Sequence, residues 1–139
     1  MAKVEYNGIT HNELNNFVHT YLSTLNKRNI FEILNFYDSH VNYFSKGIVD
    51  KNFIRKDKEK YYQLWPIIRC ELTSEIIVQD TEDESVKLVE FDINFYVYNP
   101  KRGSISGTAR NYLKIRKTSV GPKIFDEKQQ VFNREKNSG

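Results

Sequence analysis

The chain is nearly free of cysteine. Cys70 stands alone among 139 residues, which excludes an intrachain disulfide and any metal site built from several thiolates. No apolar run approaches the roughly twenty residues that a membrane-spanning helix needs. The opening MAKVEYNGITHNEL has no apolar stretch behind its lysine, so it does not read as a signal peptide, and a cytoplasmic location is expected. Histidine is scarce, three in all, and no two have a metal-ligand spacing backed by a carboxylate. Neither a metal nor another cofactor is expected. A Gly-rich phosphate loop and a nucleophile elbow are also missing. The net charge of +3 is too mild to suggest a nucleic-acid binder.

Aromatic residues are what the chain has in quantity: nine Tyr, nine Phe and Trp65. That supply suits a small domain with a bulky core or a lined cavity. The expected organisation is one domain over 10–132, with loose tails at 1–9 and 133–139.

Thr10 and Glu13 are spaced as a capping box, and Leu14, Phe17, Val18, Tyr21, Leu22 and Leu25 follow as one helical stripe. His11 and His19 fall toward solvent. A shorter, widely apolar helix begins near Asn29. HVNYF reads as a short strand. In FIRKDKEKYYQLWP, Asp57 is expected to cap a helix over Lys58 to Trp65, stopped by Pro66. Lys56, Lys58, Glu59 and Lys60 then face water, while Tyr61, Tyr62 and Trp65 build a wall.

After Pro66 the period becomes two. IIRCELTSEIIV alternates, with Cys70 on its apolar side. VKLVEFDINFYVY turns Val89, Phe91, Ile93, Phe95 and Val97 to one face. SISGTARNYLKIR turns Ile105, Gly107, Ala109, Asn111, Leu113 and Ile115 inward, and KIFDEKQQVF closes an antiparallel meander. Helices followed by a long sheet give an α+β arrangement with the helices on one face.

This order, and above all VNYFSKGIVDKNFIRKDKEKYYQLWP, resembles the nuclear transport factor 2-like (SnoaL-like) superfamily, in a group of small bacterial proteins and domains. The likeness runs from Thr10 to Phe132. The last strand of such proteins often begins Gly-Trp where this chain has GPKI. The resemblance implies a cone-shaped fold, about three N-terminal helices on a curved sheet, often with a pocket and often dimeric through the sheet. The superfamily holds isomerases, dehydratases, polyketide cyclases, transport adaptors and scaffold domains, so the fold alone selects no activity.

Candidate catalytic residues are Tyr43, Asp57, Asn111 and His40, the last beside Asp38. Asn111 is the one polar residue on the inward face of the meander. A ligand would be lined by Tyr43, Tyr61, Tyr62, Trp65, Phe91, Phe95 and Asn111. Acidic residues crowd Glu71 to Asp92 and basic ones Lys101 to Lys128. Together with Tyr96, Tyr98, Arg110 and Tyr112 on the outer face, this suggests a homodimer interface.

Inward ionisable groups look few. The first expectation is therefore a non-catalytic module, dimeric, for a small apolar molecule or peptide. The alternative is a cofactor-independent isomerase, dehydratase or cyclase, which requires at least two of the four candidates to converge in one cavity.

Overall fold

The computed structural model describes residues 8–138. The order is α1 (His11–Lys27), α2 (Ile30–Leu34), β1 (Tyr37–Tyr43), β2 (Ile48–Asp50), α3 (Lys51–Leu64), β3 (Ile67–Leu72), β4 (Ile77–Asp80), β5 (Val86–Asn99), β6 (Gly103–Thr118) and β7 (Gly121–Asn137). Seven strands form one sheet in the order β2-β1-β7-β6-β5-β3, with β4 also pairing β5. All pairings are antiparallel except β1 with β7. The helices pack on one face of this sheet, as the α+β reading requires. No described helix is long and apolar enough to cross a membrane.

The first helix forms as its sequence dictates. Glu13 N–H donates to Thr10 Oγ1 at 3.1 Å, and Thr10 N–H returns the contact to Glu13 Oε1 at 3.5 Å. Leu14, Val18, Tyr21 and Leu22 are its buried stripe. Arg28, in the left-handed conformation, ends it. The Arg28 guanidinium donates to Tyr62 O and Trp65 O, fastening the end of α1 to the end of α3.

Three local expectations are corrected. The third helix begins seven residues before Lys58, capped by Asp50, whose carboxylate accepts from Phe53 N–H at 2.9 Å. Asp57 is therefore mid-helix and caps nothing. The charged run hid the first half of the helix, whose one buried anchor is Ile54. IIRCELTSEIIV is two strands, β3 and β4, because Thr73 N–H bonds Asp92 O and Ser74 Oγ accepts from Asp92 N–H, which takes the chain out of the ladder. The ends are also more ordered than expected. Ile9 is 1% exposed, and β7 pairs with β6 as far as Ser104↔Asn137. Residues 1–7 and Gly139 of the expected tails lie outside the described residues.

A β-bulge decides what β7 points inward. Its pairing with β6 steps from Lys114↔Asp126 to Ile115↔Ile124, leaving Phe125 as the extra residue. Strict alternation from buried Ile124 would turn Asp126 into the core. The bulge resets the phase, so Glu127 enters opposite Leu113 and Asp126 takes the outer side near Lys128. Gly107 is needed further along. An added Cβ would stand 3.0 Å from Phe132 O and 3.0 Å from the Phe95 ring.

Asp50→Ala is expected to cost about 1 kcal/mol of stability. Urea unfolding should show a lower midpoint with an unchanged slope. An unchanged midpoint would mean that the cap at Asp50 contributes nothing.

Candidate active site

A cavity of about 170 Å³ lies between the helices and the concave side of the sheet. Helix α1 contributes Tyr21, Leu22 and Leu25, and α3 contributes Asp57, Lys58, Tyr61 and Tyr62. Tyr43 and Phe44 come from the end of β1. The sheet adds Ile68, Cys70, Phe91, Ile93, Asn111, Glu127 and Gln129. The wall is thus mostly apolar and aromatic, with a few convergent polar groups, as small-molecule sites are built.

Glu127 is buried, 3% exposed. Tyr21 Oη donates to its Oε2 at 2.7 Å and Tyr37 Oη to its Oε1 at 2.7 Å. The two phenol oxygens are 2.9 Å apart. A buried carboxylate is tolerated when both oxygens are satisfied in this way. Burial holds the Tyr21 and Tyr37 phenols well above the ordinary phenol range, and the Glu127 charge beside them adds to the effect.

Closer to the helix α3 wall, Tyr43 Oη donates to Asp57 Oδ2 at 2.7 Å. Burial comes first among the causes that raise the Tyr43 phenol, followed by the charge of Glu127 and the bond to Asp57. The other oxygen of Asp57 has no partner among the described hydrogen bonds. The early start of α3 produces this arrangement: freed from capping, Asp57 projects toward β1.

Two donors complete the wall. Gln129 Nε2 donates to Asn111 Oδ1 at 2.9 Å, which fixes the amide so that its nitrogen faces away from Gln129. Asn111 is 7% exposed, and its Nδ2 has no hydrogen-bond partner among the described residues. Lys58 Nζ stands 5.7 Å from the Tyr43 ring centroid and 6.0 Å from that of Tyr37. Cys70 lies on the same wall, its backbone clamped from both sides by the Asn26 amide. Burial pushes its thiol up to about 11, against the opposing pull of Lys58, so it remains a thiol at neutral pH.

Of the residues singled out from sequence, Tyr43, Asp57, Asn111, Tyr61, Tyr62 and Phe91 meet at this cavity. His40 is exposed on β1 and does not reach it. Phe95 packs at the edge of the core under Gly107. Trp65 belongs to a second apolar cluster with Tyr62, Ile68 and Val97. On the outer face Tyr96 and Tyr112 are exposed, whereas Tyr98 and Arg110 are half-buried. Arg110 makes a two-pronged contact with Asp92 at 2.8 and 3.2 Å. Lys58, expected in water, lines the cavity. Tyr21, Tyr37, Glu127 and Gln129 were not singled out. Tyr21 could have been, as a polar-tipped residue on the buried stripe of α1. Glu127 could not, because alternation points to Asp126. Among the described residues no three His, Cys, Asp or Glu side chains gather as a metal site.

No protein-family profile and no curated protein matches the chain. Solved structures do. A candidate scytalone dehydratase from Novosphingobium aromaticivorans DSM 12444 superposes with a TM-score of 0.77 at 12% identity, over 92% of this chain and 87% of that one. A nuclear transport factor 2-like superfamily protein from Salmonella enterica serovar Typhimurium LT2 gives 0.75 at 13% identity, over 86% and 89%. A candidate dehydratase of the same superfamily from Streptomyces avermitilis gives 0.73 at 10% identity, over 87% and 94%. The fold is therefore nuclear transport factor 2-like.

The tyrosine cluster carries a pH signature. Tyr21, Tyr37 and Tyr43 hold their protons more tightly folded than unfolded. Their contribution to stability is complete below about pH 10 and is lost as pH rises beyond it. Each phenol should steepen the decline by roughly 1.4 kcal/mol per pH unit. Urea unfolding at a series of alkaline pH values checks this: Tyr37→Phe should give a shallower slope, and an unchanged slope would contradict the assignment.

Proposed function

We propose that the cavity is the active site of a cofactor-independent acid–base enzyme, of the isomerase or dehydratase type, acting on a small ring-sized carbonyl compound. The observation that carries this reading is the meeting of Tyr43, Asp57 and Asn111 at one cavity. The expectation of a non-catalytic module rested on a scarcity of inward ionisable groups, and Asp57, Lys58 and Glu127 on the wall remove that premise.

The roles follow from the free valences. Asp57 is the general base: its unpartnered oxygen takes the proton next to the substrate carbonyl. Tyr43, kept protonated by burial, is a positioning residue that orients the carboxylate. Asn111 Nδ2 donates to the carbonyl oxygen as negative charge develops there. The C–H electron pair becomes a C=C bond. In an isomerisation Asp57 returns the proton to another carbon. In a dehydration the neighbouring C–O bond breaks, and Asp57 hands the proton to the departing hydroxyl, which leaves as water. Glu127, with both oxygens held by phenols, is a fixed charge rather than a base. The dehydratase descriptions of the structural neighbours are compatible with such chemistry. We also propose a homodimer through the outer sheet face, supported by exposed Ile77, Tyr96 and Tyr112.

Proton exchange tests the enzyme reading. Cyclohexanone in deuterated buffer should lose its α-protons faster with the protein than without, followed by proton NMR. Asp57→Asn should lower the catalysed rate by about 10²- to 10⁴-fold and Asn111→Leu by about 10²-fold, while His40→Ala leaves it unchanged. Exchange at the buffer rate, or undiminished exchange in Asp57→Asn, would sink the proposal.

A further inference from the structure

We infer that the ligand of this cavity is a single-ring compound bearing an anionic oxygen group, a carboxylate, held by Lys58 and Asn111. The inference rests on the acid–base reading for the location of the site, and it specifies the class of substrate.

The argument begins with which polar valences the fold has already satisfied. Glu127 accepts from two phenols and Asp57 Oδ2 from a third. Asn111 Oδ1 accepts from Gln129. Apart from the Asp57 oxygen kept for proton transfer and the oxygen of the exposed Gln129 amide, the unmatched groups argued from here are donors, Lys58 and Asn111. Lys58 is an ammonium with three donors. Among the described residues it has no hydrogen bond and no ion pair, only the faces of Tyr37 and Tyr43. Asn111 Nδ2 is buried, locked in orientation by Gln129 and, among the described residues, without a partner for either of its two hydrogens, so one serves the reacting carbonyl and the other the ligand's anionic group. An orphaned buried amide nitrogen is destabilising unless something accepts from it. A carboxylate is an acceptor-only group with two oxygens, so it complements one ammonium and one amide together.

The rest of the ligand follows from size and wall chemistry. A cavity of about 150 Å³ holds one benzene ring. This one, about 170 Å³, takes one ring and a small substituent. Phe44, Phe91, Leu22 and Ile93 offer apolar and aromatic faces to that ring. Phenol protons take up both oxygens of Glu127 and one of Asp57, so among the described residues Lys58 is left as the one cation lining the cavity, with no carboxylate paired to it.

Titration calorimetry with benzoate and with benzamide, equal in size and different in charge, tests this on the wild-type chain alone. Benzoate is expected to bind about 10-fold tighter. Lys58→Met should weaken benzoate by about 10-fold and bring the two probes level, and Lys58→Arg should restore the preference. No binding of benzoate, or equal binding of benzamide, overturns the inference. The two proposals fail separately. Exchange of cyclohexanone protons without benzoate preference removes the anion site and leaves the acid–base reading. A Lys58-dependent benzoate preference without exchange supports the anion site and removes the acid–base reading.

Discussion

The structure depends on how a carboxylate is kept in its interior. Glu127 sits 3% exposed under the helices, where an uncompensated charge would be strongly destabilising. Two phenols from opposite sides, Tyr21 on α1 and Tyr37 on β1, supply the compensation. The three residues come from three elements, so their contacts fix the helix layer against the parallel β1–β7 pair. A second fastening works from the other end of α1, where Arg28 holds the last carbonyls of α3. Between these two points the helices are set at a fixed height above the sheet, and the cavity is the space that remains.

The same carboxylate explains why the cavity wall is aromatic and yet polar in places. A phenol satisfies an acid at its tip while its ring packs among apolar neighbours. The chain uses this three times, with Tyr21, Tyr37 and Tyr43, and their rings meet edge to face at 6.2–6.3 Å. Tyr43 carries the pattern from the buried charge of Glu127 toward the Asp57 carboxylate on α3. The strand pairing Tyr43↔Glu127 makes that step possible, because it places both side chains on the same side of the sheet.

Much of this was legible in the sequence. Period two over β5 and β6 gave the inward set correctly, Asn111 included, because those strands pair without interruption from Val86↔Arg116 to Asn99↔Gly103. The capping box of α1 was equally plain. What was not legible has local physical causes. A bulge at Phe125 reverses inside and outside along β7, and no residue pattern announces it. The start of α3 was missed because seven of its fourteen residues, Lys51, Arg55, Lys56, Asp57, Lys58, Glu59 and Lys60, are charged. One buried isoleucine and a cap at Asp50 are enough to hold that half of the helix. Both misses bear directly on the site: the first hid Glu127, and the second assigned Asp57 a role at a helix end.

The placement of Asp57 and Lys58 joins these threads. Neighbours on a helix project about 100° apart, so both can border one cavity only if the helix lies over it with the gap between them facing inward. The buried residues Ile54 and Tyr62 set that rotation of α3. Asp57 is then drawn to the Tyr43 hydroxyl, and Lys58 comes to rest over the Tyr43 and Tyr37 rings. An ion pair between the two would have quenched both. The tyrosines keep them apart, so the wall retains an oriented carboxylate and an ammonium that pairs with none of the described residues. There, the interaction of each with a ligand is stronger than it would be in water. The proposed acid–base reading depends on that separation, which leaves a carboxylate oxygen and an ammonium beside one cavity without pairing them to each other.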